Sequence, residues 1–131
     1  APDFEVRRHA ALSLRDLASN PEFKQEVEAQ GCGAAAVALA RDDKLELRTH
    51  GVAALRNLSL CDPLKRVLLD RGAVPAVVDC ARLADPALRR HCAATLANLS
   101  EEVANQVPMV EQGAVPAVVA LSTVVSKAGV E

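Results

Sequence analysis

The chain has 131 residues, half of them apolar, and a formal net charge of −2, which is enough to bury a sizeable core. That charge balance argues against a generally basic, phosphate-coating surface, so no nucleic-acid partner is expected. No apolar run approaches the roughly 18 residues a membrane helix needs, and no signal-peptide pattern opens the chain, so neither membrane insertion nor secretion is expected.

Two Phe and no Tyr or Trp leave Ala, Val and Leu to fill the interior. A binding surface built from this set grips mainly with polar groups rather than aromatic anchors. Cys32, Cys61, Cys80 and Cys92 form neither a Cys-x-x-Cys pair nor a disulfide framework, and read as reduced, buried thiols of an intracellular protein. Neither a metal nor a cofactor is expected. The chain begins at Ala1 rather than Met, which reads as a piece of a longer protein, cytoplasmic or nuclear.

In chain order, Pro2 and Asp3 form a helix entry, and Val6, Ala10, Leu14 and Leu17 follow helical spacing over residues 6–18. Ser19-Asn20-Pro21 breaks that helix. A short helix over residues 22–30 stops at Gly31-Cys32-Gly33, and an Ala-rich third helix over 34–40 ends at Asp42-Asp43, which can cap the next helix. The same order then returns. A long helix over 47–59 breaks at Cys61-Asp62-Pro63, a short one runs over 64–71, and Gly72-Ala-Val-Pro-Ala-Val-Val78 supplies a left-handed stop and a first-turn proline.

Asp85-Pro86 caps a third long helix over 88–100, and Gly113-Ala-Val-Pro-Ala-Val-Val119 repeats residues 72–78 without a change. The apolar run 117–125 has no covering unit, and residues 129–131 stand where a fourth long helix would begin. Pro108 falls inside the third short helix, where proline costs roughly 3 kcal/mol. That helix is expected to start late or kink, with the least regular connection after Ser100.

Positions 47–59 and 88–100 share Leu, Arg, His, Ala, Leu, Asn, Leu and Ser at a spacing of 41, and 6–18 keeps Arg7, His9, Leu14 and Leu17. The fold class is therefore all-α, an α-solenoid over residues 1–131 with units 6–46, 47–87 and 88–131, three helices in each. The Gly-x-x-Pro entries at Gly72 and Gly113, together with Ala-x-Leu-x-Asn-Leu-Ser at 53–59 and 94–100, resemble the armadillo repeat family.

This resemblance implies a right-handed superhelix, with each unit read as third, first and second helix. It further implies a scaffold that binds an extended peptide along a groove lined by the third helices. On a helical wheel, Val6, Ala10, Leu14 and Leu17, then Leu47, Gly51, Leu55 and Leu58, then Leu88, Cys92, Leu96 and Leu99 form a core stripe. Opposite lie Arg8, Leu12, Arg15 and Asp16, then Thr49, Ala53, Arg56 and Asn57, then Arg90, Ala94, Ala97 and Asn98. His9, His50 and His91 sit at the edge of that arc.

In the family the outer arc lines the groove, and an Asn at the place of Asn57 and Asn98 bonds the peptide backbone. Asp16 departs from that pattern, because a carboxylate only accepts. Leu12, Ala53 and Ala94 stand where peptide-binding members often carry Trp, so pockets of the nuclear-import kind are not expected.

Seven of the eleven arginines lie on the long helices. The strip they form is suited to an acidic or phosphorylated segment, with Arg8, Arg15, Thr49, His50, Arg56, Asn57, Arg90, His91 and Asn98 as the partner-binding set. A solvated face with Glu5 and Glu46 paired to Arg8, His9 and His50 is the competing reading. Helices packed about 8–10 Å apart keep the histidines too far apart to share a zinc ion, and bonds to the neighbouring repeat are expected of them instead.

Two further functions stay open: self-association through the solenoid ends, including a homo-oligomer, and sensing of an anionic small molecule. No nucleophile elbow, phosphate loop or His-Glu-x-x-His helix is present, so no enzyme is expected.

Overall fold

The computed structural model describes residues 3–123. The expectations for residues 124–125 and 129–131 lie outside that range. Nine α-helices occupy the described residues, with no strand among them. They are α1 (Phe4–Ala18), α2 (Lys24–Ala29), α3 (Cys32–Ala40), α4 (Leu45–Leu58), α5 (Leu64–Asp70), α6 (Ala73–Cys80), α7 (Pro86–Ser100), α8 (Val103–Glu111) and α9 (Ala114–Leu121).

The long, short, short order recurs three times because its punctuation recurs. Gly31, Gly72 and Gly113 all take positive φ, at 104°, 89° and 89°. Each joins a short helix to the next through a left-handed turn that a side chain would strain. Asp85 caps α7 by accepting from the Leu88 amide at 2.9 Å, with Pro86 in the first turn. The α4 entry differs from expectation. Lys44 is the cap residue and offers no side-chain bond, while the Asp42 carboxylate accepts from the Lys44 amide one step earlier.

Packing follows the wheel in α4 and α7. Leu47 is buried, and Leu55 and Leu58, with Leu88, Cys92, Leu96 and Leu99, lie in one continuous core with Ala36, Val74 and Val77. Gly51 lets α4 lie directly on α3, since a Cβ there would stand 2.7 Å from both the Ala36 carbonyl oxygen and the Ala40 amide nitrogen. Small residues in α3 permit that approach of backbones.

The stripe fails in α1, where Val6 and Leu17 are 64% and 57% exposed and Ala10 is open. Ala11 and Ala18 are buried there instead. The physical reason is that the stripe faces the preceding unit, and none of the described residues lies in front of α1.

Pro108 also departs from expectation. Helix α8 starts at Val103, only two residues intervening after Ser100, and runs through the proline. The carbonyl of Ala104, which a residue-108 amide would have bonded, instead accepts from Arg66 Nη1 of the preceding unit at 3.2 Å. A side chain from a neighbouring repeat thus replaces the missing helical hydrogen bond.

Candidate binding groove

The long helices α1, α4 and α7 pack side by side. Side chains spaced by 41 residues therefore form columns across them, and each column has its own role. Arg7, Arg48 and Arg89 tie helices to their surroundings. Arg7 pairs with Asp42, Arg48 Nε donates to the Asp42 carbonyl, and Arg89 donates to the Ala81 and Ala120 carbonyls at 3.3 and 3.1 Å. These three arginines, counted into the basic strip on sequence, are engaged in the scaffold.

The neighbouring column holds Arg8, Thr49 and Arg90. Arg8 Nε meets Glu46 Oε2 at 2.7 Å, and this contact, helped by His50, holds the Glu46 carboxyl below its ordinary range. Thr49 Oγ1 bonds back to the Leu45 carbonyl in its own helix. Arg90 is exposed and has no ion-pair or hydrogen-bond partner among the described residues.

Arg15 and Arg56 behave differently, because each leans on a histidine of the next unit. Arg15 Nη1 lies 3.3 Å from His50 Nδ1, and Arg56 Nη1 lies 3.3 Å from His91 Nδ1. A guanidinium only donates, so in each pair Nδ1 is the acceptor. Burial, followed by the charges of Arg15, Arg56 and Arg90 and by His50, pushes the His91 pKa below its ordinary value. His50 Nε2 comes within 3.5 Å of Glu46 Oε2. His9 has no such neighbour and meets only Glu5, at 3.7 Å. Bonding to the neighbouring repeat, expected of the histidines, is thus present at His50 and His91.

The asparagines are joined to the preceding long helix. Asn57 Nδ2 donates to the Arg15 carbonyl at 3.2 Å, and Asn98 Nδ2 donates to Ser59 Oγ at 3.0 Å. Asn98 Nδ2 also reaches the Arg56 carbonyl at 3.5 Å, so Asn57 keeps one N–H and Asn98 keeps none, while neither Oδ1 accepts a bond among the described residues. Asp16, at the same place on α1, is exposed.

One column was missed on sequence. Lys24 and Lys65 are buried, and their ammonium groups donate to the Asn57 and Ser59 carbonyls, while Gln106 Nε2 reaches the Ser100 carbonyl at 3.0 Å. They reach carbonyls at the ends of the long helices, where the dipole favours positive charge. The spacing of 24, 65 and 106 carried that signal, but a polar residue on a short helix reads as solvated. The cysteines take no part. Burial raises the Cys32 pKa to about 11 and the Cys92 pKa to about 12, and Cys80 Sγ donates to the Ala40 carbonyl.

The charge left over is simple. Arg8 is balanced by Glu46, whereas Arg15 and Arg56 meet ring nitrogens rather than carboxylates and Arg90 stands unpaired among the described residues. Uncompensated positive charge therefore runs from α1 through α4 to α7.

No family model and no curated protein matches the chain. Solved structures do. A set of computationally designed armadillo repeat proteins for modular peptide recognition superposes with a TM-score of 0.83 at 24% identity, and a crystal structure of an engineered protein with 0.82 at 24%. A designed armadillo repeat protein in complex with the peptide (KR)4 gives 0.82 at 22%. Each match covers 89% of this chain and 50% of the other, so the chain spans half the length of the structures it resembles. The nine helices and their threefold order are those of an armadillo-type α-solenoid.

Proposed function

We propose that the chain is a non-enzymatic protein-interaction scaffold that holds an extended acidic or phosphorylated segment across α1, α4 and α7. The observation that carries this reading is the run of Arg15, Arg56 and Arg90, whose charges no carboxylate of the described residues balances. Arginine forks bond carboxylate and phosphate in pairs, and the Oδ1 atoms of Asn57 and Asn98 with the spare N–H of Asn57 supply backbone contacts beside them. Thr49, His50, His91 and Arg8 shape the same strip, with Glu46 muting it at the Arg8 end. One structural neighbour is described with the basic peptide (KR)4; the arginines of this chain favour an acidic ligand instead.

The test is titration of acidic, phosphorylated and (KR)4 peptides at low and high salt. Acidic peptides bind, binding weakens as salt rises, and Arg90→Glu alone lowers affinity about tenfold or more. Equal binding of (KR)4, or an Arg56→Glu, Arg90→Glu double variant that folds and still binds acidic peptides, overturns the reading. A free anionic metabolite would use the same arginines, and a thermal shift with inorganic phosphate that matches the peptide effect would favour that ligand.

A further inference from the structure

Comparing equivalent positions in the three units isolates two surfaces. Val6 and Leu17 are 64% and 57% exposed, whereas their counterparts Leu47, Leu88, Leu58 and Leu99 are fully buried, because α4 and α7 have a unit in front of them. Phe23 joins Val6 and Leu17 on this leading face. At the other end the pattern inverts. Val118 is 47% exposed, although Ala36 and Val77 at the same place are fully buried by the next unit. Val110, Val115 and Val119 are exposed beside it and line an apolar depression of about 660 Å³.

We propose that the trailing face of α8 and α9 seats the leading face of a second copy of this chain, head to tail. The occupant is identified by continuity. Within the chain, each leading face already packs on the trailing face of the unit before it, and the two open faces carry the same positions as that repeated interface. Charge agrees with the register. Arg8 pairs with Glu46 of the next unit, and two periods on, Arg90 would meet the exposed Glu5 of the second copy. The two faces differ from each other, so the contact is heterologous and leaves a free face at each end of any assembly.

The experiment is sedimentation velocity over a wide concentration range, with circular dichroism to check folding, on the wild type and on Leu17→Glu and Val118→Glu. Both substituted positions are solvent-exposed, so the variants keep the fold. The wild type grows with concentration beyond twice the 13.8 kDa monomer. Each variant alone stays monomeric, with association weakened about a hundredfold or more by the buried charge. Mixed together they form a heterodimer and nothing larger, because each retains the face the other has lost.

A wild type that stays monomeric at every concentration overturns the proposal and leaves these faces to further helical units of a longer chain. A single variant that still dimerises through its intact face overturns the head-to-tail polarity.

Discussion

At the scale of single residues, a close approach of two helix backbones decides the sign of a substitution that helix propensity alone would get wrong. Alanine in place of a mid-helix glycine ordinarily gains about 1 kcal/mol. At Gly51 the new Cβ would meet the backbone of α3 on two sides, at Ala36 and Ala40. Neither atom can swing away, and forcing helices apart costs about 1–3 kcal/mol. Gly51→Ala is therefore expected to lower stability by about 1–2 kcal/mol in urea unfolding; a stabilised variant would show that α3 yields.

His91 sets a pH dependence of definite sign. Its folded pKa lies below its ordinary value of 6.5 because of burial and the arginines around it, so the unfolded chain takes up the proton first and stability falls as pH drops below about 6.5. The carboxyls of Glu46 and Asp42, held low by Arg8 and by the Lys44 amide respectively, contribute stability that is lost at lower pH still, below their ordinary values of 4.5 and 3.8. The two windows separate. Replacing His91 with Asn should flatten the melting temperature between pH 7 and 5 and leave the more acidic loss in place. An unchanged profile in that interval would remove His91 as its cause.

At the scale of elements, α8 shows how a repeat absorbs a residue its helix cannot accommodate alone. Proline at 108 leaves the Ala104 carbonyl without its helical donor, and Arg66 of α5 supplies one. Arg66→Ala is expected to cost about 0.5–1 kcal/mol. In a Pro108→Ala background, whose own amide can bond Ala104, most of that cost should vanish. A double-mutant cycle reads the difference directly, and equal costs in both backgrounds would assign Arg66 to its pairing with Asp70.

The same element marks what a sequence can and cannot carry. Glycines 31, 72 and 113, the Asp85-Pro86 cap and the alternation of long and short helices are local instructions, and they stood in the periodicity. The start of α8, the exposure of Val6 and Leu17 and the partners of the arginines depend on what lies one unit away. A helical wheel assigns a side chain to a face without saying what that face meets. The wheel puts Arg15 and Arg56 on the outer arc, yet their contacts with His50 and His91 depend on the rotation between neighbouring helices. The charge left on these helices depends on those contacts, in which each guanidinium meets a ring nitrogen.

For the whole molecule, a solenoid has no single centre, and stability is close to a sum of units and their interfaces. Helix α4 is the element with neighbours on both sides. It packs on α1 in front and α7 behind, rests on α3, and buries Leu47 and the unbroken stretch from His50 to Leu55 together with Leu58. By contrast α1 buries only Ala11 and Ala18, and α9 buries only Ala114. Opening a terminal unit therefore breaks one interface, whereas opening α4 breaks two.

Local opening free energies should accordingly rise from both ends towards the middle. In native-state hydrogen exchange measured by mass spectrometry, peptides from α4 should exchange slowest, those from α1 and α9 fastest, and α7 between them. Raising the concentration should slow α1 and α9 selectively if copies stack head to tail, because that contact covers those helices and leaves α4 as it was. Protection that is uniform from α1 to α9 at low concentration would mean the units unfold together, and the graded, neighbour-by-neighbour description of this solenoid would fail.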